Sequence, residues 1–148
     1  MSPLSVLIVE DHEDGATATA NVLRLYGYQT AIAQTGAAAL QMAEDHEPDV
    51  VLLDIRLPDI DGWEVARRIV KRATNKLPVF IAITGCASDL DRLKSNEAGI
   101  NLHLAKPVEP GILVGMLERL GKALGVNGSG ERRRQSPEVR LTPAADAD

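Results

Sequence analysis

Four places in the sequence set reactive side chains directly after a short apolar run: Glu10-Asp11, Asp54, Thr84-Gly85 and Lys106-Pro107. Together they offer carboxylates, a hydroxyl and an ammonium. Carboxylates crowded into one space repel one another and resist ionisation unless a cation lies between them. Oxygen-only ligands select a hard ion, and Mg2+ characteristically takes one or two carboxylates, waters and a phosphate oxygen. Lys106 supplies a compact positive charge for a phosphoryl oxygen or for Asp54, and Thr84 supplies a hydroxyl donor. A carboxylate nucleophile, a metal, an ammonium and a hydroxyl are the parts needed to form an aspartyl phosphate, with positioning and charge neutralisation as the catalytic terms.

These groups meet only if the elements between them bring them together. Leu4 to Val9 is a short run of branched apolar residues, the pattern of a buried strand. Asp14 to Tyr26 has helical spacing, with Ala16, Ala20, Leu23 and Gly27 along one side and Gly27 as a stop. Tyr28 to Ala33 reads as a second strand. Thr35 can cap a helix to about Glu47, which Pro48 ends. Val50 to Leu53 reads as a third strand, ending at Asp54. Pro58, Asp59 and Gly62 mark a turn, and the helix after it turns Val65, Ile69 and Val70 to the core. Pro78 opens a strand from Val79 to Ile83. Ser88 or Asp89 caps a helix carrying Leu90 and Leu93, which ends at Gly99. Ile100 to Ala105 is a fifth strand. Glu109 to Leu124 is the last helix, with Ile112, Leu113, Met116, Leu117, Leu120 and Leu124 on its apolar stripe.

Alternating strands and helices imply an α/β fold: a doubly wound parallel sheet covered on both faces. Right-handed crossovers leave few topologies, and the flavodoxin-like order 2-1-3-4-5 is the expected one. In such sheets functional groups gather outside the carboxyl ends of the strands, where the four reactive groups fall, and neighbouring strands 1 and 3 bring three carboxylates together. From Gly125 onward the pattern fails, so the expected organisation is a folded domain over residues 1–124 and a disordered tail over 125–148.

The formal net charge of -5 and the 3% aromatic content argue against a nucleic-acid binder. The only basic cluster, Arg132-Arg133-Arg134, lies in the tail and reads as a solvated run. There is no apolar run long enough to cross a membrane and no signal peptide, and the single cysteine, Cys86, cannot form an intrachain disulfide. These features favour the cytoplasm.

The order Glu10-Asp11, Asp54, Thr84, Lys106-Pro107 resembles the receiver domain of response regulators in two-component signalling, and Leu57-Pro58-Asp59-Ile60-Asp61-Gly62 resembles that family's loop after the phospho-acceptor. The resemblance covers about residues 4–124. It implies that Asp54 accepts phosphate from a sensor histidine kinase or a histidine phosphotransfer protein. Glu10, Asp11, Asp54 and the backbone carbonyl of Arg56 would hold Mg2+, and Thr84 and Lys106 would bind the phosphoryl group. The Lys106-Pro107 bond is expected to be cis. His103 occupies the family's switch position, more often Tyr or Phe. It would couple phosphorylation to the face formed by the fourth helix, fifth strand and fifth helix, where a downstream protein or a second copy would dock. Glu10 stands where the family often has Asp. Arg56 and Cys86 stand at positions that tune phosphoryl lifetime. The implied protein is a signalling module rather than an enzyme, and with no output domain after residue 124 it is expected to stand alone.

Three other functions compete. An aspartate-nucleophile phosphatase would carry its nucleophile after the first strand with a second Asp two residues on, whereas Asp54 follows the third strand and is followed by Arg56. A flavodoxin-like cofactor carrier needs small residues and backbone donors after the first strand, and Glu10-Asp11-His12-Glu13-Asp14 would repel its phosphate. A receiver that binds without taking phosphate would not need the full acceptor set. His12 and His46 have no ligand partners at suitable spacing, and Trp63 is expected to pack the start of its helix.

Overall fold

The structure, a computed structural model, describes residues 4–85 and 92–125. Strands β1 (Ser5–Val9), β2 (Gln29–Ala33), β3 (Val50–Asp54), β4 (Val79–Thr84) and β5 (Leu102–Ala105) alternate with helices α1 (Glu13–Leu25), α2 (Gly36–His46), α3 (Gly62–Arg72), α4 (Arg92–Ala98) and α5 (Pro110–Leu124). All pairings are parallel and the order is β2-β1-β3-β4-β5, the expected doubly wound sheet.

A side chain alternates faces along a strand, so a sheet covered on both faces needs apolar residues at consecutive positions. In β1, Val6 and Ile8 face one layer while Leu7 and Val9 face the other. The first layer is closed by Ala16, Ala20 and Leu23 of α1 with Leu113, Val114, Leu117 and Leu120 of α5. The second is closed by Ala39 and Leu40 of α2, Trp63, Val65, Ala66 and Ile69 of α3, and Ala98 of α4. Every residue of β3 is buried, the mark of a central strand.

Local chemistry fixes the helix ends. Thr35 caps α2 by accepting from the Ala38 amide, Asp61 caps α3 by accepting from the Glu64 amide, and Gly125 closes α5 in the left-handed region at φ 71°. Two apolar expectations are corrected. Val70 of α3 and Ile112 of α5 are exposed, at 36% and 55%, because each lies beyond the edge of its helix's buried stripe; Val114 is buried instead. The fifth strand begins at Leu102 rather than Ile100, since the Asn101 side chain accepts from the Phe80 amide and Asn101 is not part of the regular strand.

At the amino ends of the strands, Asp49 is a buried structural carboxylate. It accepts from the Ser5 amide at 2.7 Å and from Lys76 at 3.2 Å, joining the starts of β1 and β3 to the connection before β4. The expected cap at Ser88 or Asp89, Cys86, Leu90, the side chain of Leu93 and the tail after Gly125 lie outside the described residues. Among the described residues no helix is long and apolar enough to cross a membrane.

Candidate functional site

The register places the strand ends on one rim. Val9 lies beside Leu53, Asp54 beside Ile83, and Thr84 beside Ala105. Glu10-Asp11, Asp54, Thr84 and Lys106 therefore leave the sheet together, as expected of carboxyl ends in an open parallel sheet.

Asp54 is the centre of the group and only 3% exposed. Its Oδ2 accepts from the Lys106 ammonium at 2.9 Å, and its Oδ1 accepts from the Arg56 amide at 3.0 Å. A buried carboxylate needs such partners, because desolvation otherwise drives it to neutrality. Lys106 Nζ also stands 4.0 Å from Glu10 Oε1. Glu10, Asp11 and Asp54 each present an oxygen, and the three oxygens lie within 4.8 Å of one another. Oxygens on opposite sides of a bound Mg2+ stand about 4.2 Å apart, so a small side-chain adjustment would seat one. The donor set, all oxygen and doubly or triply anionic, fits that hard ion.

The electrostatics match the geometry. Burial pushes the Glu10 carboxyl above its ordinary value, and the charges of Asp54 and Asp11 add to this; Lys106 and the His12 amide work the other way. Burial pulls the Lys106 ammonium down, but its hydrogen bond to Asp54 and the charges of Asp54, Glu10 and Asp11 outweigh that, leaving it raised.

The loop after Asp54 is held from both sides. The Gly62 amide donates to the Ile55 carbonyl at 2.8 Å. A Cβ at Gly62 would stand 2.7 Å from Ile55 Cα and 2.8 Å from the Asp54 carbonyl oxygen, so only glycine lets α3 start against the Asp54–Ile55 backbone. Asp59 reaches back to α2, accepting from the Gly36 and Ala37 amides at 2.8 and 3.0 Å. Those bonds hold its carboxyl below the ordinary range.

Thr84 is buried at 3% exposure, and its carbonyl accepts from the Lys106 amide at 2.9 Å. The Lys106-Pro107 bond is cis, as expected. His103 is half-buried on β5, and its Nε2 lies 3.0 Å from the Ser95 hydroxyl. Trp63 packs at the start of α3 and also reaches across to Ser95.

Besides Asp49 and the Asp61 cap, three roles went unread in the sequence. His12 caps α1, its Nδ1 accepting from the Gly15 amide. Asp59 is a cap for a helix 23 residues earlier. Ser95, on α4, has no exposed surface and bonds two other elements. The position of His12 just before the acidic first turn of α1 was a usable signal. The other two had none.

A buried carboxylate with an ammonium on one oxygen, and two more carboxylates able to share a cation with it, has the groups that phosphoryl-transfer chemistry uses. The family model for the response regulator receiver domain matches residues 6–118. The chain belongs to the response regulator receiver family. The polar-differentiation response regulator DivK of Brucella anthropi is 32% identical over 106 residues, 72% of this chain and 86% of that protein. The transcriptional regulatory protein AfsQ1 of Streptomyces coelicolor is 37% identical over 109 residues, 74% of this chain and 47% of AfsQ1, so the chain spans about half of that relative. Among solved structures, the receiver domain of a Pseudomonas aeruginosa sensor histidine kinase, with a magnesium ion coordinated in its active site cleft, superposes with a TM-score of 0.72. It is 33% identical and covers 81% of this chain and 99% of that one. This receiver domain is thus a signalling module of the two-component type with the CheY-like, flavodoxin-like fold.

Proposed function

We propose that this receiver domain is a phosphorylation-controlled switch whose acceptor is Asp54. The observation that carries the reading is the convergence of Lys106, Glu10 and Asp11 on one buried carboxylate. In the forward step an Asp54 oxygen attacks the phosphorus of a phosphohistidine, or of a small acyl phosphate. The new P–O bond forms as the P–N bond, or the donor's P–O bond, breaks and its electron pair leaves with the donor. An imidazole leaving group takes up a proton. In the return step water attacks phosphorus, and inorganic phosphate leaves as the Asp54 carboxylate is restored.

Glu10, Asp11, Asp54 and the Arg56 carbonyl would hold Mg2+, which supplies positive charge to the phosphoryl oxygens. The phosphoryl group brings roughly -1.5 to -2 charges beside two carboxylates, so a cation is required. Lys106 pairs with a phosphoryl oxygen in place of Asp54 Oδ2, and the Thr84 hydroxyl donates to another. His103 responds to the movement of Thr84 and alters the face of α4, β5 and α5, which a downstream protein, or a second copy of the chain, then selects. The phosphodonor is a sensor histidine kinase or a histidine phosphotransfer protein, and the setting is the cytoplasm. The relatedness to DivK and to a receiver holding magnesium supports this reading.

The test is intact mass after incubation with acetyl phosphate and Mg2+. One added phosphoryl group, labile to hydroxylamine, absent with chelator, absent in Asp54→Asn and reduced in Lys106→Ala, is the expected result. A stable modification on Ser or Thr, or full labelling of Asp54→Asn, would move the acceptor elsewhere.

A further inference from the structure

Ser95 is wholly buried, and its single hydroxyl joins three elements. The Trp63 indole of α3 donates to Ser95 Oγ at 3.1 Å, and Oγ shares a hydrogen bond with His103 Nε2 of β5 at 3.0 Å. An indole N–H can only donate, whereas either partner of the second bond can be the donor according to the ring tautomer. The ammonium of Lys94, next to Ser95 on α4, stands 4.3 Å from the centre of the Trp63 ring. Trp63 itself follows Gly62, whose backbone rests on the carbonyl of Asp54. A continuous set of contacts thus runs from the acceptor through Trp63 and Ser95 to His103.

We propose that Ser95 is a positioning residue that latches His103, holding its ring against α4 in the unphosphorylated protein, and that switching breaks the Ser95–His103 bond. The inference rests on the proposed role of His103. The Ser95 hydroxyl fastens helix α4 to α3 and β5 at once, so it sets how firmly this face is held. Once His103 leaves, Ser95 keeps Trp63 and can turn its proton to its own helix backbone. One hydrogen bond between Ser95 and His103 weights the equilibrium by about fivefold rather than locking it.

A ligand that favours the switched state binds more tightly when the competing state is weakened. The probe is beryllofluoride with Mg2+, a mimic of the phosphoryl group, titrated calorimetrically into the full chain. Ser95→Ala is expected to bind about fivefold more tightly than the parent, and His103→Phe similarly. The double variant should bind no more tightly than either single, because both remove the same bond. Unchanged or weaker binding by folded Ser95→Ala, or effects that multiply in the double variant, would overturn the latch. In the parent, the nitrogen resonance of His103 Nε2 should shift on beryllofluoride binding. A resonance that stays put also overturns it, whether or not the variants fold. If the parent neither gains phosphate by mass nor binds the mimic, the acceptor reading has failed instead, and the latch falls with it.

Discussion

Replacing Asp54 by Asn separates the metal-free protein from the loaded one. In the metal-free protein Asp54 repels Glu10 and Asp11 from no more than 4.8 Å. At an effective dielectric of about 20 each repulsion costs at least about 3.5 kcal/mol. Against these, the Lys106 ammonium at 2.9 Å attracts Asp54 by about 6 kcal/mol on the same scale. The opposing terms nearly cancel, so neutralising Asp54 should change metal-free stability by only about 1 kcal/mol, a shift of the midpoint of roughly 5 °C or less. The amide oxygen can still accept from the Arg56 N–H, although its NH2 group would face the ammonium. With Mg2+ the outcome should reverse, since the variant would lack one of the three proposed anionic ligands. Thermal melts with chelator and with several millimolar MgCl2 read both quantities. The parent should gain stability from Mg2+, and the variant should lose most of that gain. A metal-free loss of several kcal/mol would show that Asp54 is a net structural anchor and that the cancellation is mistaken. An undiminished Mg2+ gain would show that Asp54 is not a ligand.

Gly62→Ala puts a methyl group against backbone that cannot yield, so it should cost about 2 kcal/mol or more in urea unfolding and also slow phosphate uptake; parent-like values for both would mean the approach is loose. Asp59→Ala removes the acceptor of two α2 amides and should lower the unfolding midpoint at neutral pH. Because the Asp59 carboxyl is depressed, its contribution is present above the ordinary carboxylate pKa and is lost as pH falls through the folded value, so parent and variant melts should converge in acid below about pH 3.8. Glu10 is raised, so its proton competes with Mg2+ at and above its ordinary pKa of 4.5. Affinity for Mg2+ should therefore climb as pH rises through that region, with proton release visible calorimetrically in buffers of different ionisation enthalpy. Glu10→Gln should flatten the pH dependence, and a flat parent profile would remove Glu10 from the site.

The strand-end groups were legible because a parallel α/β sheet leaves little choice: consecutive apolar runs must be central strands, and their carboxyl ends share one rim. The cap at Thr35 and the end of α5 before Gly125 act within a few residues of their own helix, so local patterns carried them; the cap at Asp61 went unread although it is just as local. Val70 and Ile112 looked like core residues because composition does not say how wide a buried stripe is; the packing of neighbouring helices sets its edge. Asp49, Asp59 and Ser95 bond to partners between 8 and 44 residues away. Nothing near them in sequence distinguishes them from solvated residues, since their roles come from hydrogen-bond donors delivered by other elements. Sequence patterning thus determined which groups line the rim. Only the assembled layers decided that Lys106 lies on Asp54 Oδ2 and that Ser95 lies between Trp63 and His103, because such distances depend on how separate elements pack.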